Sequence, residues 1–214
     1  MSVPVPFPQI RYPLVAILRG LKPEETVDTL SALIDEGFEA IEIPLNSPEP
    51  FKSIEIAARH APANCLIGAG TVLTVGQVNQ LRDAGGRLFV SPNVDVPVLS
   101  HAVDLGMVTL PGVFTATEAL AAAKAGATGL KFFPASALGP DGITAIRAVL
   151  PPDLMIAAVG GVSDKNFGEY AKAGIKAFGL GSSIYKPGMK PSEVGLRARA
   201  AIAAYESVFA GDKA

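Results

Sequence analysis

Seven points along this chain are places where a helix is expected to stop: Gly37, Pro62, Gly85, Gly106, Gly126, Pro151 and Gly174. Glycine ends a helix by taking the left-handed conformation that a Cβ disfavours, and a proline just beyond the end blocks continuation. Successive stops lie 25, 23, 21, 20, 25 and 23 residues apart. One helix, one strand and two short loops fill such an interval. A short apolar run follows each stop, at 40–43, 66–69, 88–90, 107–110, 129–133, 155–159 and 177–180, and another at 14–18 precedes the first helix. These runs predict eight strands. Helices are predicted between them, among others at 24–36, 75–84, 116–125, 164–173 and 192–209.

Strict strand–helix alternation favours a parallel sheet, and eight repeats of this length favour closure into a single (β/α)8 TIM barrel. The barrel is expected over 14–214, behind a proline-rich N-terminal arm at 1–13 with prolines at 4, 6, 8 and 13. An open doubly wound sheet is the alternative, but the glycine fingerprint after its first strand is absent. Nearly half of the 214 residues are apolar and only 18% are charged, which excludes a disordered chain. A net charge of -2 offers no basic patch for nucleic acid. No run approaches the ~18 apolar residues of a membrane span, and the arm lacks the basic start and apolar run of a signal peptide. A cytoplasmic location without a membrane partner follows as the expectation. Cys65 is the single cysteine, so neither an intrachain disulfide nor a thiolate metal cluster is available, and it reads as a small core residue.

In such barrels chemistry sits at the C-terminal ends of the strands. Pro44, Pro92, Pro111 and Pro134 are expected to close several of those ends. Lys131 lies among apolar neighbours in Gly129-Leu-Lys-Phe-Phe-Pro134, and alternation sets Lys131 and Phe133 opposite Leu130 and Phe132. If its face is the barrel interior, lost solvation lowers its pKa and favours the neutral amine that adds to carbonyls. A structural ion pair, or a lysine reaching solvent at the rim, uses the same position. Glu42, in Glu39-Ala-Ile-Glu-Ile-Pro44, shares a face with Ala40, opposite Ile41 and Ile43. It fits either the proton shuttle of an imine-forming lysine or simply that lysine's ion-pair partner. Arg19, in phase with Ile17, and Thr71 end the first and third strands and could hold a carboxylate or an oxyanion. Gly160 and Gly161 end the seventh strand, and Gly181 with Ser182 the eighth. Those are the two strands whose loops hold phosphate in phosphate-binding barrels; ordinary tight turns would use the same residues. His60 and His101 fall in helices away from these ends, and no His/Asp/Glu cluster has metal-ligand spacing.

These motifs, in this order, resemble the short pyruvate-forming class I aldolases of the 2-keto-3-deoxy-6-phosphogluconate family. The resemblance runs from Val15-Ala-Ile-Leu-Arg-Gly20 to Gly179-Leu-Gly-Ser182, and its most specific pieces are Gly68-Ala-Gly-Thr-Val72, Leu130-Lys-Phe-Phe-Pro-Ala135 and the paired glycines at 160 and 161. It implies a Schiff base on Lys131 and Glu42 as proton shuttle. It further implies Arg19 and Thr71 on the substrate, and Gly160, Gly161, Gly181 and Ser182 around its phosphate. A homotrimer working without a cofactor is implied as well, and the lack of metal-ligand spacing speaks against a metal-dependent aldolase.

Two departures from the gluconate-type pattern bear on the substrate. Where that pattern has an arginine four residues beyond the glutamate, this chain has Asn46, in Glu42-Ile-Pro-Leu-Asn46-Ser-Pro48. Where it has a threonine before the paired glycines, this chain has Val159. Both resemble the galactonate-type branch, which implies cleavage of 2-dehydro-3-deoxy-6-phospho-D-galactonate to pyruvate and D-glyceraldehyde 3-phosphate in galactonate breakdown. Asn46 and Val159 are therefore expected at the substrate, with Arg19 replacing the missing arginine as carboxylate partner. A gluconate-type or dual-epimer aldolase, a phosphate-binding barrel isomerase or synthase, and a non-catalytic ligand-binding barrel are the competing readings.

Overall fold

The five glycines predicted to stop helices all take positive φ. Each helix end there is closed by paired backbone bonds: Gly85 N–H reaches Arg82 O at 2.9 Å and Gly86 N–H reaches Leu81 O at 2.9 Å, and Gly126 and Ala127 repeat the pattern on Ala123 and Ala122. Helix starts are equally local. Thr74 and Gln77 cap one helix reciprocally, and Thr115 and Glu118 another.

The structure, a computed structural model, describes residues 5–210. Its strands are β1 (Leu14–Ile17), β2 (Ala40–Pro44), β3 (Leu66–Gly70), β4 (Leu88–Val90), β5 (Val108–Leu110), β6 (Gly112–Val113), β7 (Gly129–Phe132), β8 (Met155–Val159) and β9 (Ala177–Leu180). The helices are α1 (Thr26–Ile34), preceded by a 3-10 turn at Pro23–Glu25, α2 (Pro50–His60), α3 (Val75–Asp83), α4 (Val96–Asp104), α5 (Ala116–Lys124), α6 (Ala135–Arg147), α7 (Phe167–Lys172) and α8 (Pro191–Phe209).

All pairings are parallel, in the order β5-β4-β3-β2-β1-β9-β8-β7-β6. The two ends of that order are consecutive in the chain, joined by Pro111, so the sheet closes on itself as the predicted barrel of eight staves. Pro111 does not end its strand as expected. It lacks an N–H and interrupts the ladder, but its carbonyl accepts from Lys131 N–H at 3.0 Å and the stave continues as β6. Helix α7 starts at Phe167 rather than 164, because Asn166 is used in the preceding turn, taking Ser163 N–H on its Oδ1 and donating to Gly161 O, both at 2.9 Å.

Two apolar layers result from the period of two along each stave. Outward residues such as Ile41, Ile43, Leu130, Phe132 and Phe178 pack against the helices, with Cys65 among them. Inward residues Val15, Ala40, Leu66, Leu88 and Val108 fill the N-terminal end of the barrel. Val5, Phe7 and Ile10 close that end from below, and Val5 O accepts from Thr128 Oγ1 at 2.8 Å. The described part of the arm, 5–13, contains neither helix nor strand. Residues 1–4 of the expected arm, Pro4 included, and 211–214 of the expected barrel lie outside the described residues. Among the described residues no helix is long and apolar enough to cross a membrane.

Candidate active site

At the opposite, C-terminal end the inward residues enclose a cavity of about 620 Å³. Lys131 enters it from β7, with Leu130 and Phe132 fully buried on the helix side. Its Nζ lies 4.8 Å from the centroid of the Phe133 ring, and the residue is 7% exposed. Burial is the main force pushing its pKa down; the Glu42 charge opposes that shift and the Arg19 charge adds to it.

Glu42 enters from β2 and is 2% exposed. Burial raises its carboxyl to about 7, against the opposing effects of Lys131, Arg19 and the Gly70 N–H. Its Oε2 has no hydrogen-bond partner. A buried oxygen left unpaired is costly, and here it sits in the wall of a cavity where a ligand or its proton can pair with it. Gly70 makes this placement possible, because a Cβ there would collide with the carboxylate.

Arg19, just beyond β1, lines the cavity in phase with Ile17. Its Nη1 donates to Asn46 Oδ1 at 2.6 Å, which ties Asn46 to the cavity wall through Arg19. Asn46 and Thr71 are the two predicted site residues outside the cavity wall. Thr71 follows β3 with a φ of 60°, a left-handed turn that carries the chain away after Gly70.

Val159, Gly160, Gly161, Gly181 and Ser182 all line the cavity. Gly161 is required twice over: its φ is 76°, and a Cβ would come within 2.5 Å of Ser136 Cβ. The loop is held by Ser136 N–H on Gly160 O at 3.0 Å and by Asn166 on Gly161 O. On the neighbouring stave Gly181 begins a turn in which Ile184 and Tyr185 N–H both return to its carbonyl, at 2.9 and 3.0 Å. The Gly181 Cβ position meets no atom within 4 Å. Two adjacent hydrogen-bonded loops thus line the cavity with glycines.

Sequence reasoning passed over Ser163, Ser183, Tyr185 and Lys186, which also line the cavity. A lysine ahead of Pro187 looks like any surface lysine until the loop is folded. His60 and His101 stay on the outer helices, bonded to Ser31 and Asn79. No group of three or more candidate metal ligands occurs among the described residues.

A buried amine and a carboxylate of raised pKa thus share one cavity with glycine-rich loops at the C-terminal end of a parallel barrel. The chain belongs to the KDPG and KHG aldolase family, whose sequence profile matches residues 9–193. It is 66% identical over 209 residues to the probable 2-dehydro-3-deoxy-6-phosphogalactonate aldolase of Rhizobium meliloti, covering 98% of this chain and 99% of that one. It is 46% identical over 197 residues to the 2-dehydro-3-deoxy-6-phosphogalactonate aldolase of Escherichia coli K12, covering 92% and 96%. A solved structure described as native KDPGal superposes with a TM-score of 0.92 at 44% identity, over 94% of this chain and 98% of that one.

Proposed function

We propose that the chain is a class I aldolase that cleaves 2-dehydro-3-deoxy-6-phospho-D-galactonate to pyruvate and D-glyceraldehyde 3-phosphate. The observation that carries this is Lys131, a buried amine pushed by burial toward its neutral form, in one cavity with the Glu42 carboxyl, which burial raises to about 7. The names of the two relatives supply the galactonate skeleton.

Neutral Lys131 adds through its lone pair to the C2 carbonyl, giving a carbinolamine. Glu42 protonates the departing hydroxyl, water leaves, and the iminium forms. A pKa of about 7 suits a group that must both give and take protons. Glu42 then takes the C4 hydroxyl proton. The C3–C4 bond breaks, its electron pair moves toward the iminium as an enamine, and the aldehyde departs. Returning the proton to C3 and hydrolysing the iminium frees pyruvate and the amine.

In this reading Arg19, hydrogen-bonded to Asn46, binds the substrate carboxylate and the glycine loops bind its phosphate; that both line the cavity supports it. Remote binding at both ends aligns C3 and C4 between the two catalytic groups. No step calls for a cofactor or metal. The reading includes a role in galactonate breakdown, a cytoplasmic location and a homotrimer. Leu73, Val75, Val96 and Phe114, exposed apolar residues beyond the ends of β3, β4 and β6, support self-association; sedimentation at one chain mass would overturn it.

The deciding experiment is a side-by-side cleavage assay on the galactonate- and gluconate-derived acids. Cleavage of the galactonate epimer at least as fast as its partner is expected. A strong gluconate preference would overturn the substrate assignment, and failure to cleave either would overturn the aldolase reading.

A further inference from the structure

Three basic side chains line the cavity: Arg19, Lys131 and Lys186. Arg19 is hydrogen-bonded to Asn46, and Lys131 must be neutral to react. Lys186 differs from both, because its ammonium makes no ion pair or hydrogen bond among the described residues. It is exposed, yet its loop is braced on either side of it. Tyr185, one residue earlier, is buried and donates from its phenol to Glu25 Oε2 at 3.3 Å. Burial and the Glu25 charge push that phenol's pKa up, so it remains a donor. Pro187, one residue later, packs so closely on Gly20 that a Cβ there would lie 2.6 Å from Pro187 Cγ. The loop after β9 is thereby fixed to the loop after β1, with Lys186 between the braces at the cavity that also holds Ser182 and Gly161.

The substrate of the proposed reaction carries a carboxylate at one end and a phosphate dianion at the other. Glycine-loop amides alone would meet that dianion with neutral donors, while the nearby Glu42 contributes negative charge whenever it is ionised. We propose that Lys186 is the cation that binds the substrate phosphate and makes the enzyme select phosphorylated aldehydes. A lysine suits this place: three rotatable donors on a compact charge adapt to a phosphate from one side, and its stem leaves the cavity open until the ligand arrives. This inference rests on the aldolase reading and adds to it a specificity-determining residue.

The test uses the condensation direction, with pyruvate and either D-glyceraldehyde 3-phosphate or D-glyceraldehyde, for the parent, Lys186→Ala and Lys186→Arg. Lys186→Ala should lower the phosphorylated-to-unphosphorylated ratio of kcat/KM about tenfold, as expected for losing one charge-assisted contact at an exposed site, mainly through KM. Inhibition by inorganic phosphate should weaken in parallel, and Lys186→Arg should keep most of the ratio. A parent that prefers the phosphorylated aldehyde together with a Lys186→Ala variant within twofold of the parent ratio would overturn the assignment and leave the aldolase reading intact. A parent that condenses neither aldehyde would overturn the aldolase reading itself.

Discussion

The two ends of the barrel interior are made from alternate residues of the same staves and hold opposite chemistry. On β2, Ala40 belongs to the apolar plug and Glu42, two residues on, is a buried acid. On β1, Val15 packs in the plug while Ile17 and Arg19 reach the cavity. The lower layer is bulky, with Leu66, Leu88, Val108 and Met155 closed off by Phe7 and Ile10. The upper layer is thinned by glycine: Gly70 clears the Glu42 carboxylate, and Gly179 leaves room for the Val159 side chain. A tightly packed lower layer fixes stave positions, and that rigidity holds an ionisable pair out of water in the upper layer, where burial alone would relax it. Substitutions below should therefore act on stability, and substitutions above on rate and selectivity.

The contrast is tested most severely at Glu42. Glu42→Gln should slow turnover by roughly 10²–10⁴-fold, the range for a lost general acid/base, while substrate still binds. The same variant has a stability signature. Between the ordinary carboxyl value of 4.5 and the raised value of about 7, the folded chain keeps a proton that the unfolded chain has released. Stability therefore falls as pH rises through that window, and Glu42→Gln should flatten the decline in a melting series. Unimpaired turnover with a collapsed Tm would make Glu42 structural.

The lower layer predicts the reverse outcome. Leu88 is fully buried, and its backbone and Cβ crowd Gly68 of β3. Leu88→Ala should cost about 2–5 kcal/mol and lower Tm by about 4–20 °C. Well below that Tm, kcat/KM should stay within about twofold of the parent. A variant that melts like the parent but has lost activity would break the division between the ends.

The smallest expected effect lies at the border of the upper layer. Val159 is 7% exposed and lies beside Gly179 of the neighbouring stave in the cavity wall. Val159→Thr keeps the shape and exchanges a methyl for a hydroxyl in the cavity wall, a group able to hydrogen-bond a substrate hydroxyl. One hydrogen bond is worth about 0.5–1.5 kcal/mol, so the gluconate-to-galactonate ratio of kcat/KM should rise by roughly two- to tenfold. An unchanged ratio would remove Val159 from epimer selection.

The lower layer and the staves were legible from sequence because helix stops, caps and alternation are local. The glycine stops at 37, 85, 106, 126 and 174 act within their own helix ends. Pro111 misled because a missing N–H predicts a ladder break, not whether the chain resumes the same stave. At the site, Lys131, Glu42 and the paired glycines stood out as polar or empty positions on apolar strands. Sequence did not reveal that Asn46 bonds to Arg19, 27 residues earlier, a contact that exists only once β1 and β2 are side by side. Lys186 stayed hidden for the same reason. Its braces reach Gly20 and Glu25, near the other end of the chain, and no spacing rule records them.

The central claim is that Lys131 is the amine that forms the imine. Incubation with pyruvate and borohydride, followed by peptide mass mapping, tests it directly. One reduced pyruvyl adduct on Lys131 is expected, and Lys131→Ala should abolish it while retaining a parent-like melting profile. An adduct mapped to another lysine, such as Lys124 or Lys176, or undiminished trapping in Lys131→Ala, would contradict the account.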